Sequence, residues 1–301
     1  MGHLDGLVAV VTGAGRGIGR GEAMLLAAEG AAVVVNDLGT SIDGAGGDVS
    51  VAEAVVAEIV ADGGRAVAST SDVASWSGAE ELVGQAVDTF GSLDILVNNA
   101  GFLRDRMSFN MGEDDFDAVI RVHIKGHFAP LRWAAAHWRD RAKAEGAPVY
   151  GRVINTTSEA GLWGTPGQAN YAIAKGGIAA LTLTAARELQ RYGVTVNAIA
   201  PRARTRMTET VLAGLGGGDG FDELDPDNVA PAVAWLASPA AAAISGRTFM
   251  VTGGRVHLIE GHTEAAAVSK DGRWTVDELI GHQDELLKGR DPGIPAFGIG
   301  L

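Results

Sequence analysis

The chain has 301 residues, 47% of them hydrophobic, and a formal net charge of -13, which suits one large globular domain, or one domain with an extension. The absence of cysteine excludes a disulfide scaffold, thiolate-ligated zinc and a cysteine nucleophile. Binding nucleic acid by counterion release requires a basic surface, so the acidic balance excludes it as well.

The apolar runs, such as LVAVV and AAVVV, fall far short of the roughly 20 residues that span a bilayer. The start MGHLDGLVAVV lacks the basic opening and small-residue cleavage site of a signal peptide. The expectation is a cytoplasmic protein with no membrane and no nucleic-acid partner.

Periodicity and punctuation predict alternating strands and helices. LVAVVTG (7–13) is a β-branched run ending in glycine, the pattern of a parallel strand buried on both faces. A helix follows over about 18–29, then the strand AAVVVND (31–37), the amphipathic helix SVAEAVVAEIVADGG and the strand RAVASTSDV (65–73). ELVGQAVDTFG is predicted helical and LDILVNNAG (93–101) a fourth strand. One long helix over about 114–143 leads to GRVINTTS (151–158), a fifth strand. A helix beginning near Asn170 carries YAIAK, and VTVNAIAP (194–201) is a sixth strand. A helix near 228–237 and the strand GRTFMVTGG complete the series. The fold class is therefore α/β: a Rossmann-type, doubly wound sheet of seven parallel strands over 1–254. The alternation stops near Arg255, and 255–301 reads as a helix with irregular chain, an extension and not a second domain.

The first strand runs into TGAGRGIGR (12–20). The spacing GxGxxG fails, because Ile18 stands at its third glycine; GxxxGxG fits, with Gly13, Gly17 and Gly19. Glycines there permit a tight turn and close backbone approach, and a helix N-terminus offers unpaired N–H groups to a pyrophosphate. Asp37 ends the second strand, 24 residues after Gly13. A carboxylate at that place accepts hydrogen bonds from a ribose and repels a 2′-phosphate, so NAD is favoured over NADP. Arg16 beside a diphosphate is consistent with either. Asp72 and Val73 end the third strand, and Asn99, Ala100 and Gly101 the fourth, all on the carboxyl edge where open parallel sheets bind ligands.

In QANYAIAK, Tyr171 and Lys175 are four residues apart, which on a helix places them on one face about 6 Å apart. A tyrosine packed on a lysine stem explains an isolated pair of this kind. Together, however, TGAGRGIG, NNAG, the serine closing INTTS, YAIAK and NAIAP resemble the short-chain dehydrogenase/reductase family over roughly residues 5–254. NDLG, FLRDRMSF, RVHIKGHF, GQANYAIAK and APRARTRMT look more specifically like the hydroxyacyl-CoA dehydrogenase domains of peroxisomal-type multifunctional enzymes and their bacterial single-domain relatives.

The resemblance implies hydride transfer between a secondary alcohol or ketone and a nicotinamide, with NAD as cofactor and a 3-hydroxyacyl thioester as substrate. It implies Tyr171 as general base or acid, its pKa lowered by the Lys175 ammonium and the nicotinamide cation. Ser158 would hold the substrate oxygen, and Lys175 would also bond the nicotinamide ribose. His123 stands where many family members carry an asparagine whose backbone carbonyl holds a water near the lysine, and a packed histidine is the competing reading. Pro201 and Thr205, in the segment after the sixth strand, complete the expected cofactor contacts. His123 and His127 share a helix face, but no third ligand supports a metal site, so no metal is expected.

Residues 202–221 read as a glycine-rich lid. Arg104, Arg106, Arg202, Arg204 and Arg206 flank the expected site; they suit an anionic coenzyme A ester or pair locally with Asp105, Glu209 and Asp222. Small residues in AIAKGGIAALTLTAA permit close helix packing, and with the family resemblance they imply a homodimer or homotetramer. One alternative keeps the chemistry and takes a hydroxysteroid or other bulky alcohol as substrate. The alternative of a different class is a non-catalytic nucleotide-binding protein.

Overall fold

The computed structural model describes residues 2–40, 46–208 and 220–298. Strand β1 (Val8–Thr12) is buried at every residue. Its alternate side chains serve opposite faces: Ala9 and Val11 join one apolar cluster, Val8 and Val10 the other. This period of two is why an uninterrupted β-branched run forms a central strand, and each fully buried valine contributes about 1.5–3 kcal/mol.

Around β1 the chain lays down β2 (Ala32–Asn36), β3 (Arg65–Ser69), β4 (Ile95–Asn98), β5 (Gly151–Thr156), β6 (Val194–Arg202), β7 (Thr248–Thr252) and β8 (Arg255–Ile259). The sheet order is β3-β2-β1-β4-β5-β6-β7-β8. Strands β1 to β7 are parallel throughout. Helices α1 (Gly17–Ala28), α2 (Ser50–Ala61) and α8 (Ala230–Ala237) supply the first cluster. Helices α3 (Trp76–Phe90), α5 (Gly126–Glu145) and α7 (Ala169–Leu189) supply the second. The strand order reverses between β1 and β4, so the crevice for a ligand opens at their carboxyl ends.

Three differences from the sequence reading have physical causes. First, the sheet continues past Arg255: β8 pairs antiparallel with β7. Gly253, at φ +51°, and Gly254 make the two-residue turn between the paired Thr252 and Arg255. Both Val256 and Leu258 stay half exposed on this edge strand, so it lacks the all-apolar pattern that marked the others.

Second, the long helix expected over 114–143 is present but changes period part-way. Helix α4 (Glu113–Ile120) passes through a π-helical turn, Arg121–Lys125, into α5. Such bulges are frequent at functional sites. Third, β3 and β4 stop short of the expected 73 and 101, at Ser69 and Asn98. The next amides of β4 leave the ladder: Asn99 N and Ala100 N both donate to Thr12 Oγ1, at 3.0 and 3.1 Å.

The chain divides into two compact units, Met1–Ile259 and Glu260–Leu301. Within the second, α9 (Val276–Gly281) opens on a capping box of Thr275 and Glu278 and is followed by α10 (Gln283–Leu287). Among the described residues, no helix is long and apolar enough to cross a membrane.

Candidate active site

A cleft opens at the carboxyl edge where β1 and β4 diverge. Twelve of the residues expected to hold a cofactor line it: Gly13, Arg16, Gly17, Ile18, Gly19, Asp37, Asp72, Val73, Asn99, Ala100, Gly101 and Thr205. Pro201 lies instead within β6, paired with Val251. Arg206, one of the arginines expected to flank the site, also lines the cleft, as do Leu38, Ser71, Phe102 and Arg121; these four escape the sequence reading because each is a loop or helix-end residue with no pattern of its own.

The glycine loop is a cradle with no room for side chains at Gly13 and Gly19. A Cβ on Gly19 would sit 2.3 Å from Gly13 O, and one on Gly13 would sit 2.8 Å from Ala100 Cα. Gly13 and Gly17 also adopt left-handed φ values of +65° and +52°, which side chains disfavour. Asn99 ties the loop down: its Nδ2 donates to Thr12 O at 3.0 Å and Gly13 O at 3.1 Å. The Asp37 carboxylate accepts from Gly15 N at 2.9 Å and Gly39 N at 2.6 Å. Its two oxygens have lone pairs to spare for a hydroxyl donor. Asp72 accepts from Ala74 N at 2.9 Å and pairs with Arg121. The loop, the bare α1 N-terminus and the Asp37 carboxylate fit a dinucleotide.

The expected chemical residues sit at the ends of β5 and α7. Ser158 is the N-cap of the short helix α6 (Glu159–Trp163), its Oγ accepting from Ala160 N at 3.3 Å. Tyr171 and Lys175 occupy the first turns of α7, with Lys175 Nζ 5.4 Å from the phenol ring centroid. The ammonium is buried and donates to Thr156 O at 2.6 Å. The His123 ring meets the Tyr171 ring edge-on, with centroids 5.2 Å apart.

Burial dominates the electrostatics here. Desolvation pushes the Tyr171 phenol up to about 12, against the smaller opposing effect of the Ser158 hydroxyl. The lowering expected from sequence included the nicotinamide cation, whereas this value reflects the protein's own groups alone. Lys175 is itself pushed down to about 7 by desolvation, because a charged group loses hydration on burial. His123 is driven down to about 3 by desolvation first and the nearby Lys175 second; it is a neutral ring near pH 7.

His123 is a packed ring with a structural bond. Its Nε2 lies 2.8 Å from Phe102 O, and a Cβ on Gly101 would sit 2.1 Å from its Cε1. The rings of His123 and His127 lie near parallel with centroids 6.5 Å apart; among the described residues, no group of three His, Cys, Asp or Glu is placed to hold a metal.

The arginines divide. Arg202 makes a two-point ion pair with Glu159, one contact being Nε to Oε2 at 2.9 Å. Arg204 pairs with Asp222 at 2.9 Å, and Arg106 lies 3.9 Å from Asp115. Arg104 donates to Asp114 O at 3.2 Å. Most of this rim is therefore tied locally, as the competing reading held, although with Glu159 and Asp115 in place of Asp105. Glu209 and the part of the expected 202–221 lid over 209–219 lie outside the described residues.

A family model described as short chain dehydrogenase matches residues 7–215. The chain belongs to this family. It is accordingly an oxidoreductase that works with a nicotinamide cofactor. It is similar to the hydroxyacyl-CoA dehydrogenase ChsB1 of Mycobacterium tuberculosis, at 49% identity over 96% of this chain and 91% of that protein. It is 45% identical to the peroxisomal multifunctional enzyme type 2 of Mus musculus, over 78% of this chain but 30% of that longer protein. A crystal structure of a short chain dehydrogenase from Mycobacterium avium superposes with a TM-score of 0.87 and 50% identity, over 99% of this chain and 100% of that one. The likeness to hydroxyacyl-CoA dehydrogenases is thus found in the whole chain as well as in its motifs.

Proposed function

We propose that this dehydrogenase uses NAD to interconvert a 3-hydroxyacyl-CoA and its 3-oxoacyl counterpart, with Ser158, Tyr171 and Lys175 as its chemical residues. The observation that carries the reading is that Tyr171 meets both the Ser158 hydroxyl and, 5.4 Å from its ring centroid, Lys175 Nζ, while His123 links it to the Gly101 wall of the cleft. The similarity to relatives named hydroxyacyl-CoA dehydrogenases supports the substrate class.

When bound, the nicotinamide supplies the hydride acceptor or donor. The residues do the proton work. Tyr171 takes the hydroxyl proton in oxidation and returns one in reduction, while Ser158 holds the substrate oxygen beside the phenol. Lys175 keeps positive charge against the phenolate, stabilising the form that burial disfavours. Asp37 supports NAD over NADP, since its carboxylate repels a 2′-phosphate. Within this reading the enzyme is a homo-oligomer of the cytoplasm, and 260–301 is an extension of a single catalytic domain.

The test is NADH formation at 340 nm against 3-hydroxyacyl-CoA esters and hydroxysteroids, each with NAD and NADP. The expected result is turnover of the CoA esters with NAD, and a gain in NADP use in Asp37→Ser. Turnover of steroids alone would overturn the substrate assignment and leave the chemistry standing; equal use of NADP by the wild type would overturn the role of Asp37.

A further inference from the structure

Asn170 stands immediately before Tyr171 and is fully buried. Its side chain is engaged on both sides. Nδ2 donates to Arg104 O and to Asp115 O, each at 3.0 Å. Oδ1 accepts the Tyr171 amide at 2.8 Å, one of the first-turn N–H groups of α7 that have no partner inside the helix. One side chain thus joins three backbones: the catalytic turn of α7, the segment after β4, and the first turn of α4.

The segment after β4 is also part of the cofactor cleft. Gly101 and Phe102 line that cleft, and Arg104 follows two residues later. Phe102 O meets His123 Nε2 at 2.8 Å, and the His123 ring abuts the Tyr171 ring. The contacts close a ring: Tyr171 to Asn170, to Arg104, along the chain to Phe102, to His123, and back to Tyr171. Two bonds brace the same segment alongside: Arg106 N to Gly167 O at 2.8 Å, and Gln168 Nε2 to Asp105 Oδ2 at 2.8 Å.

We propose that Asn170 is the positioning residue that fixes the Tyr171 phenol relative to the cleft wall at Gly101–Phe102. This rests on the reading of Tyr171 as the proton-transfer group. The chemistry of the position selects asparagine. Both carbonyls need donors and the amide needs an acceptor; aspartate supplies no donor, serine only one, and glutamine is a methylene too long for a filled site. Reactions of this kind depend steeply on placement, because a shift of about 1 Å in a reacting group costs on the order of 100-fold in rate. Loss of Asn170 should therefore appear in kcat, while the glycine cradle, which it does not touch, keeps its affinity for the dinucleotide.

The experiment compares Asn170→Asp, Asn170→Ser and Tyr171→Phe with the wild type. The measurements are kcat and KM for a 3-hydroxyacyl-CoA, NADH affinity by fluorescence titration, and the pH profile of kcat/KM. Expected for both Asn170 variants is a kcat loss of roughly 10- to 100-fold with NADH affinity within about two-fold of wild type. Asn170→Asp should also move the alkaline rise of oxidation to higher pH, because its carboxylate beside Tyr171 disfavours the phenolate; Asn170→Ser should not. A merely structural asparagine would lower thermal stability and leave the kcat of folded Asn170→Ser near wild type. Should Asn170→Asp fail to fold, the kcat of Asn170→Ser decides. Inactive Tyr171→Phe beside Asn170 variants of wild-type kcat would overturn the proposal. Active Tyr171→Phe would instead overturn the reading beneath it.

Discussion

Glu22 lies on α1 with no exposed surface, and neither carboxylate oxygen has a hydrogen-bond partner among the described residues. Desolvation pushes its pKa up from the usual 4.5 to about 8, so the folded protein carries it as a neutral acid near pH 7. The sign of the linkage follows. Between pH 4.5 and 8 the unfolded chain has released this proton and the folded one has kept it, so stability falls as pH rises through that window. At about 1.4 kcal/mol per pH unit, Glu22 opposes folding by about 3 kcal/mol at pH 7, levelling near 5 kcal/mol above pH 8. Glu22→Gln keeps the shape and removes the titration. The assay is urea unfolding of both proteins at one concentration from pH 5 to 9, read as the difference in free energy. His123 and His127, both held well below 6.5 by burial, add stability that is lost as pH falls below 6.5; they act in both proteins and cancel in the difference. The expected difference is small at pH 5 and widens in favour of Glu22→Gln until about pH 8. Parallel curves across the range would refute the buried neutral acid.

Two further outcomes are expected. Gly101→Ala places a methyl 2.1 Å from Cε1 of the fully buried His123, so it should cost about 1–3 kcal/mol of stability and lower activity; Gly101→Ala combined with His123→Ala should recover part of the stability, and an unchanged melting temperature in the single variant would contradict the packing. With the phenol at about 12, kcat/KM for alcohol oxidation should rise with pH between 6 and 9 while ketone reduction, which uses the protonated phenol, stays level, and a flat oxidation profile would sink the assignment of Tyr171 as the free enzyme's base.

The cleft was legible in the sequence because it is made of strand ends. A parallel strand buried on both faces announces itself by composition, and the residues following it must lie at one edge of the sheet. That logic placed Gly13, Asp37, Asp72 and Asn99 together without any contact being known. It failed where the backbone departs from regular period. The π-helical turn at Arg121–Lys125 has the composition of a helix, and β8 is a half-exposed edge strand with charged and apolar residues mixed. Asn170 was visible only as a polar residue among small apolar ones beside Tyr171. Its two acceptors lie 66 and 55 residues away in sequence, and no local pattern encodes them.

The spacing of Tyr171 and Lys175 gave the right neighbours but not their burial, and the reason is general. Sequence separation fixes which groups share a helix face, but a pKa responds to how much water each group keeps. Here burial raises the phenol and lowers the ammonium, so both drift toward their neutral forms. A carbonyl, Thr156 O at 2.6 Å, opposes that drift for Lys175, since a hydrogen bond to the charged donor favours the charged form. The Ser158 hydroxyl does the same for the phenolate. The residues that a motif singles out are thus only half of the device. The other half is the set of polar atoms, Thr156 O and Ser158 Oγ, that the fold brings up to hold charge where burial would remove it.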